Sequence, residues 1–317
     1  MTPNVGDPDF DDTGERPIPD GSSFALLLTH DVDRPYKTHQ SLYYALTADS
    51  HADRMYHLST LRPGVNPYWQ FETIMALEAD LGVRSAFYIL DEQNLFEDRP
   101  RRELLSMAAW SRYAGRYSLD DDRIQSLIRS LDAGGWEVGL HGSYDSYDDP
   151  ERLAREKARV EAELGHPVTG GRQHHLNLEI PESWQHHRSL DLAYDTSLGS
   201  SDTYGFQHGY GIQRPFDDEF VVFPLTIMEQ ALPDPGTDYD AARDACHAVL
   251  QEAEQHEAVM TVLWHPRTFN VDEFPGHNRL YRDLVSTALE MNAWVGTPRE
   301  FYAEANLECP PADVRPS

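Results

Sequence analysis

A chain of 317 residues with 40% hydrophobic and 25% charged side chains has the length and apolar content of one large α/β domain. Its 54 Asp and Glu against 26 Lys and Arg leave a formal net charge of −28, so a nucleic-acid partner is excluded and an anionic membrane surface disfavoured. Lys37 and Lys157 are the only lysines, and the acids are spread along the whole chain. This pattern reads as adaptation to high salt, where screening relieves self-repulsion, ahead of simple acidity for solubility.

Residues 1–21 are acidic, lack an apolar run and read as a disordered lead rather than a signal peptide. Residues 22–306 read as the folded body and 307–317 as a tail. No stretch reaches the ~18 consecutive apolar residues of a membrane helix, and the expected location is the cytoplasm. Cys246 and Cys309 form no Cys-x-x-Cys motif, which argues against a disulfide framework or a cysteine zinc site.

The body opens on FALLLTHDVD (24–33), an apolar run suited to a buried strand, with polar residues at its end. Residues 36–66 are poorly periodic and read as a rim insertion. A helix follows over 67–82, with Phe71, Ile74, Leu77 and Leu81 on one face and Gly82 closing it. SAFYIL (85–90) is a second strand, and 91–119 reads as another rim insertion. Then come a helix over 120–135, a strand over 136–141, a helix over 149–165 with Asp149-Pro150 at its start, and a weaker strand over 168–175. Strands over 220–225, 259–265 and 293–296 alternate with helices over 237–256 and 277–292. Alternating strands and helices predict a parallel sheet, and no Gly-x-Gly-x-x-Gly supports a dinucleotide fold.

Ionisable residues recur at the ends of the predicted strands, the face that carries active sites in parallel α/β folds. His30, Asp31 and Asp33 end the first, His141 the third, Arg172, His174 and His175 the fourth, and His265 a late one. Asp31 and Asp33 are two apart and can share a face of an extended segment. A natural division puts Asp33 on a metal and makes Asp31 a general base; a turn is the plainer reading. His141 and Asp145 have the four-residue spacing of metal ligands. Together these suggest an Asp/His/Asp site with open positions for water, suited to zinc, with manganese, iron or cobalt also compatible. His265 can protonate a leaving group. Tyr144 is among several aromatics able to stack on a sugar ring, and His186 and His187 read as bystanders.

The order of these segments resembles the polysaccharide deacetylases, the fourth carbohydrate esterase family, over about residues 24–300. THDVD (29–33), HGSYD (141–145), GGRQHH (170–175), YDTSLG (194–199) and VLWHP (262–266) carry the resemblance. It implies an α/β distorted (β/α)7 barrel, a single domain with rim insertions. It also implies one divalent metal and removal of acetyl groups from N- or O-acetylated carbohydrate. Asp31 falls on the general base, Asp33 and His141 on metal ligands, Arg172 on the residue that orients the base, Asp195 on the substrate groove and His265 on the general acid. The family's second metal histidine is replaced by Asp145, with His174 as the alternative ligand. A barrel that binds sugar without catalysis, and a hydrolase of small-molecule amides, are the competing readings.

The charge analysis generates one prediction. The melting temperature should climb steadily as potassium chloride is added, because screening weakens repulsion among the acids; a melting temperature indifferent to salt would contradict the adaptation.

Overall fold

The computed structural model describes residues 14–37, 40–92 and 116–307. Within them the chain runs β1 (Ala25–Val32), α1 (Gln40–Thr47), α2 (His51–Ser59), α3 (Phe71–Leu81), β2 (Ala86–Leu90), α4 (Asp122–Ala133), β3 (Glu137–Gly142), α5 (Pro150–Leu164), β4 (Gly170–Gln173), α6 (Glu182–Ser189), β5 (Tyr194–Asp195), β6 (Val221–Val222), β7 (Leu225–Met228), α7 (Tyr239–Gln255), β8 (Val259–Leu263), α8 (His277–Glu290), β9 (Trp294–Gly296) and α9 (Pro298–Glu304). No helix among the described residues is long and apolar enough to cross a membrane.

The strands form one parallel sheet in the order β6-β5-β4-β3-β2-β1-β8-β7. Its two end strands are successive parts of one stretch, separated only by Phe223 and Pro224. Val221, Phe223 and Leu225 donate backbone bonds to Ala193, Asp195 and Leu198 beside β5, while Leu225 to Met228 pair with β8. Pro224 lacks an N–H and breaks the ladder here. The stretch 221–228 therefore has β5 on one edge and β8 on the other. Together with β1 to β5 and β8 it makes the seven staves of a distorted (β/α)7 barrel. β9 is extra: it pairs Ala25 to Leu27 on the side where β2 joins β1 only from Thr29 onward.

Alternation along the strands separates two cores. Ala25, Leu27, Ala86, Tyr88, Tyr194, Val221 and Phe223 fill the barrel, while Leu26, Leu28, Phe87, Ile89, Val138 and Leu140 pack outward against the helices. Two glycines make the interior possible. A Cβ on Gly170 would lie 2.4 Å from the Tyr194 ring, and one on Gly171 would lie 2.0 Å from the Leu140 carbonyl. β4 can thus approach β3 closely, with aromatic rings beneath it.

His30 faces outward, so it is not part of the site that its position at a strand end suggested. Its Nδ1 is 2.5 Å from the Trp264 carbonyl and its Nε2 is 3.0 Å from Glu78 Oε1. Tyr281, Ser85 and Trp136 also donate to the Glu78 carboxylate, at 2.6 to 2.8 Å. This buried carboxylate ties α3, α8 and the start of β3 to β1.

Three further expectations are revised. The segment 36–66 is largely helical, forming α1 and α2. Residues 14–21 of the predicted lead are held to the body: Glu15 bridges to Ile212 and pairs with Arg214 at 3.1 Å. β5, two residues long, is a strand that the hydrophobic pattern did not single out. Most of the predicted 91–119 insertion, and Cys309, lie outside the described residues.

Glu78→Ala strands His30, Ser85, Trp136 and Tyr281 in an apolar shell. It should lower unfolding free energy by roughly 3 kcal/mol, read from the urea midpoint; a change within about 0.5 kcal/mol would show that the network does not bind these elements together.

Candidate active site

At the C-terminal ends of the strands a cavity of about 210 Å³ opens, and six of its lining residues carry ionisable groups of interest: Asp31, Asp33, His141, His174, His265 and Arg267. They come from the ends of β1, β3, β4 and β8 or the loops that follow, as the strand-end reading expects.

Asp31 is the best-anchored of them. Arg172 Nη1 donates to its Oδ1 at 2.8 Å and to Thr29 Oγ1 at 2.9 Å. Arg172 Nε donates to the Thr196 carbonyl at 2.9 Å, and the guanidinium lies 5.2 Å from the centre of the Tyr88 ring. Only 1% of Arg172 is exposed. Burial pushes the Asp31 carboxyl up, but His141, Arg172 and His265 together outweigh that and hold it below its ordinary value. Asp31 is therefore an anion at neutral pH, in a setting that favours a charged base.

His141 Nδ1 lies 2.9 Å from the Arg172 carbonyl. A carbonyl only accepts, so this nitrogen carries a proton, and Nε2 lies 3.5 Å from Asp31 Oδ2. Burial is the main cause that lowers the His141 pKa. His174, one helical-turn residue beyond β4, has its ring 5.2 Å from that of His141, and its Nδ1 is 3.1 Å from Glu92 Oε2.

His265 has the opposite bias. Its Nδ1 is 2.6 Å from Glu229 Oε1. Burial disfavours the imidazolium, yet Glu229, opposed by Arg267 and aided by Asp33, raises the His265 pKa above its ordinary value. One cavity thus holds a carboxylate biased toward ionisation and a histidine biased toward protonation.

Sequence reasoning missed Glu229 and Arg267. Glu229 follows β7 directly, so the strand-end rule reaches it once Pro224 is taken as a break within a strand rather than its end. Arg267 lies two residues past His265 and donates through Nη1 to both oxygens of Asp33, at 2.9 and 3.2 Å; Arg34 Nε is 3.9 Å from the same carboxylate. Burial pushes Asp33 up, and Arg267, His265 and Arg34 drive it well below its ordinary value.

The predicted metal trio is not brought together. Asp145 does not line the cavity: it follows Ser143 and Tyr144 into a turn where Ser143 is held by Glu156 and the Tyr144 N–H by Glu92. Asp33 carries a guanidinium, and among the described residues no group of three His, Cys, Asp or Glu is placed to hold a metal ion. The alternative ligand His174 does line the cavity with Asp33 and His141, but in this arrangement the Asp33 carboxylate is taken by Arg267. Two substrate expectations also change. Asp195 is fully buried, bonded to Ser197 N–H and Oγ and to Trp184 Nε1, with His187 Nδ1 at 3.3 Å. It supports the end of β5 instead of facing substrate, and His187 is its partner rather than a bystander. Tyr144 is half-buried against His175, with rings 5.6 Å apart, and does not line the cavity.

No family model matches the sequence, and no curated protein sequence matches it. Solved structures do match. A Mycobacterium smegmatis protein provisionally named a polysaccharide deacetylase aligns at a TM-score of 0.57 with 18% identity, covering 96% of this chain and 99% of its own. The fold is that of the polysaccharide deacetylases. A Pseudomonas aeruginosa protein of the same provisional name aligns at a TM-score of 0.55 with 13% identity, over 91% of this chain and 93% of its own. The two alignments thus cover more than nine-tenths of the chain, at identities that speak to fold alone.

Arg172→Met removes the cation that, among the described residues, bonds the Asp31 carboxylate directly. Alone it should cost roughly 3 kcal/mol of stability, because it leaves a buried charge without its bonded partner. Combined with Asp31→Asn it should cost clearly less than the sum of the two single changes, a coupling measured by a denaturation double-mutant cycle. Additive losses would mean that the pair is not coupled.

Proposed function

We propose that the chain is a hydrolase that removes an acetyl group from an N- or O-acetylated carbohydrate. The observation that carries this reading is the opposed bias of Asp31 and His265 within one cavity. A hydrolase of the amide or ester bond needs a base that is ionised before water attacks and an acid that is protonated before the leaving group departs. Here Arg172 favours the first state and Glu229 the second.

In this reading water attacks the acetyl carbonyl carbon as Asp31 takes one of its protons. The carbonyl π pair moves to oxygen. The tetrahedral species then collapses, the C–N or C–O bond breaks, and His265 gives its proton to the departing amine or alcohol. The products are acetate and the free sugar group. Arg267 and Arg34 supply positive charge at the cavity wall, where it can offset charge developing on the carbonyl oxygen. A divalent ion, the expected zinc among others, would have to displace Arg267 from Asp33. The small cavity fits the reacting acetylated unit rather than a long glycan, which also leaves a small-molecule amide in view. A barrel without turnover is the second reading, favoured by the displacement of Asp145 and the occupation of Asp33 by arginine.

Acetate release from N-acetylated chito-oligosaccharides tests the proposal. Asp31→Asn and His265→Ala should each lower the rate by about 10²- to 10⁴-fold in protein that is still folded at the assay temperature, although each also lowers the melting temperature by leaving a buried charged partner, Arg172 or Glu229, uncompensated. The wild-type profile should be a bell. Its acid limb, set by Asp31, falls below the ordinary carboxylate range, because activity is lost only once that depressed pKa is crossed. Its alkaline limb, set by His265, falls above the ordinary histidine value. Activity equal to wild type in either variant would refute these roles. Activity should also survive exhaustive dialysis against a chelator; loss that zinc restores would show that Asp33 exchanges Arg267 for an ion.

A further inference from the structure

A second cavity, of about 360 Å³, opens between α5 and the end of β2. Four arginines line it: Arg116, Arg152, Arg155 and Arg159. The last three are spaced i, i+3 and i+7 on α5, which places them on one face of that helix. In a chain with net charge −28, four converging guanidiniums run against the prevailing field.

Their partners do not exhaust them. Arg159 Nη1 donates to both oxygens of Asp91, at 2.7 Å each, and Arg116 Nε donates to the Glu92 carbonyl at 3.1 Å. Arg152 Nε reaches Asp149 at 3.4 Å, but its Nη1 is buried with no hydrogen-bond partner. Arg155 is exposed on the same face, and among the described residues it makes no hydrogen bond or close ion pair, though its charge acts on Asp149. A buried N–H of an arginine without an acceptor is a cost that a ligand oxygen would relieve.

The three acids of the cavity leave that surplus in place. Asp91 is engaged by Arg159. Glu92 Oε2 meets His174 Nδ1 and the Tyr144 N–H. Glu156 is 3% exposed and accepts from Ser143 N–H at 3.0 Å and Ser143 Oγ at 2.5 Å. Burial above all pushes its carboxyl up to about 8, so at neutral pH it is largely uncharged.

We propose that this cavity is a binding site for a phosphate-class oxyanion, held chiefly by Arg152 and Arg155. The planar guanidinium fork suits tetrahedral oxyanions, and several forks on one helix face can surround one. The site shares a wall with the catalytic cavity, because Glu92 borders it while bonding His174, which lines the other. The anion is either a phosphoryl group carried by the substrate or a free phosphate ion. The binding claim does not depend on the hydrolase reading.

Calorimetric titration of the full chain with sodium phosphate, at constant ionic strength, tests it. Saturable binding to one site is expected. Arg152→Gln and Arg155→Gln should each weaken it about tenfold or more, the loss of one charge-assisted bond. Arg243→Gln, which removes an exposed charge on α7, should leave it unchanged. No saturable binding to the wild type, or equal affinity in all four proteins, would overturn the proposal. Titration with N-acetylglucosamine 6-phosphate separates the sources. Tighter binding than phosphate, lost in Arg155→Gln, assigns the site to the substrate's phosphoryl group. Binding no tighter than phosphate assigns it to the free ion. Neither readout requires turnover, so failure here and failure of the hydrolase reading are told apart.

Discussion

The interaction on which the site depends is the ion pair between Asp31 and Arg172 across the barrel, from β1 to β4. Taking two charges out of water is costly, and their attraction offsets this only when the remaining donors and acceptors are also met. Thr29 Oγ1, the Thr196 carbonyl and the Tyr88 ring meet them here. Around that pair much else is constrained. Gly170 and Gly171 let β4 lie close enough to its neighbours, Tyr88 and Tyr194 fill the space below, and His141 is oriented by the carbonyl of Arg172 itself. A substitution at any of these positions would act on the charge state of Asp31 as well as on packing.

The second pair, His265 and Glu229, completes an arrangement in which neighbours push two titratable groups in opposite directions. Asp33 and Arg267 act on the second pair, Arg267 lowering the His265 pKa and Asp33 raising it, and His265 in turn lowers the pKa of Asp31. The cavity is therefore a network rather than two independent dyads, and its titrations will be coupled. Arg267 is also the main departure from the ion-centred site that the family resemblance implied. A guanidinium supplies a fixed positive charge in the same neighbourhood, with one nitrogen, Nη1, shared between both oxygens of Asp33.

Much of the barrel could be read from the sequence because its strands are nearly continuous apolar runs whose C-terminal ends turn polar. Asp31, Arg172 and His265 were legible for that reason. Other features were hidden by physics that a linear pattern does not carry. β5 has two residues and no periodicity to detect. Pro224 splits one stave between two neighbours, so Glu229 looked remote from any strand end. His30 sits beside Asp31 in sequence but, by strand alternation, on the opposite face, where Glu78 claims it. The four-residue spacing of His141 and Asp145 assumed a helical turn toward the cavity, whereas hydrogen bonds from Ser143 and Tyr144 to Glu156 and Glu92 direct the chain elsewhere. Asp195 came only from the family resemblance, as a groove residue, and it is spent on Ser197, Trp184 and His187.

The central claim is that neighbours within one cavity hold Asp31 toward the anion and His265 toward the imidazolium. Nuclear magnetic resonance titration of the carboxyl carbon of Asp31 and the ring of His265, in the free protein, reads both states directly. The account predicts that Asp31 titrates below the ordinary aspartate value and His265 above the ordinary histidine value. A His265 ring that is neutral throughout, or an Asp31 carboxyl that titrates above its ordinary value, would contradict it.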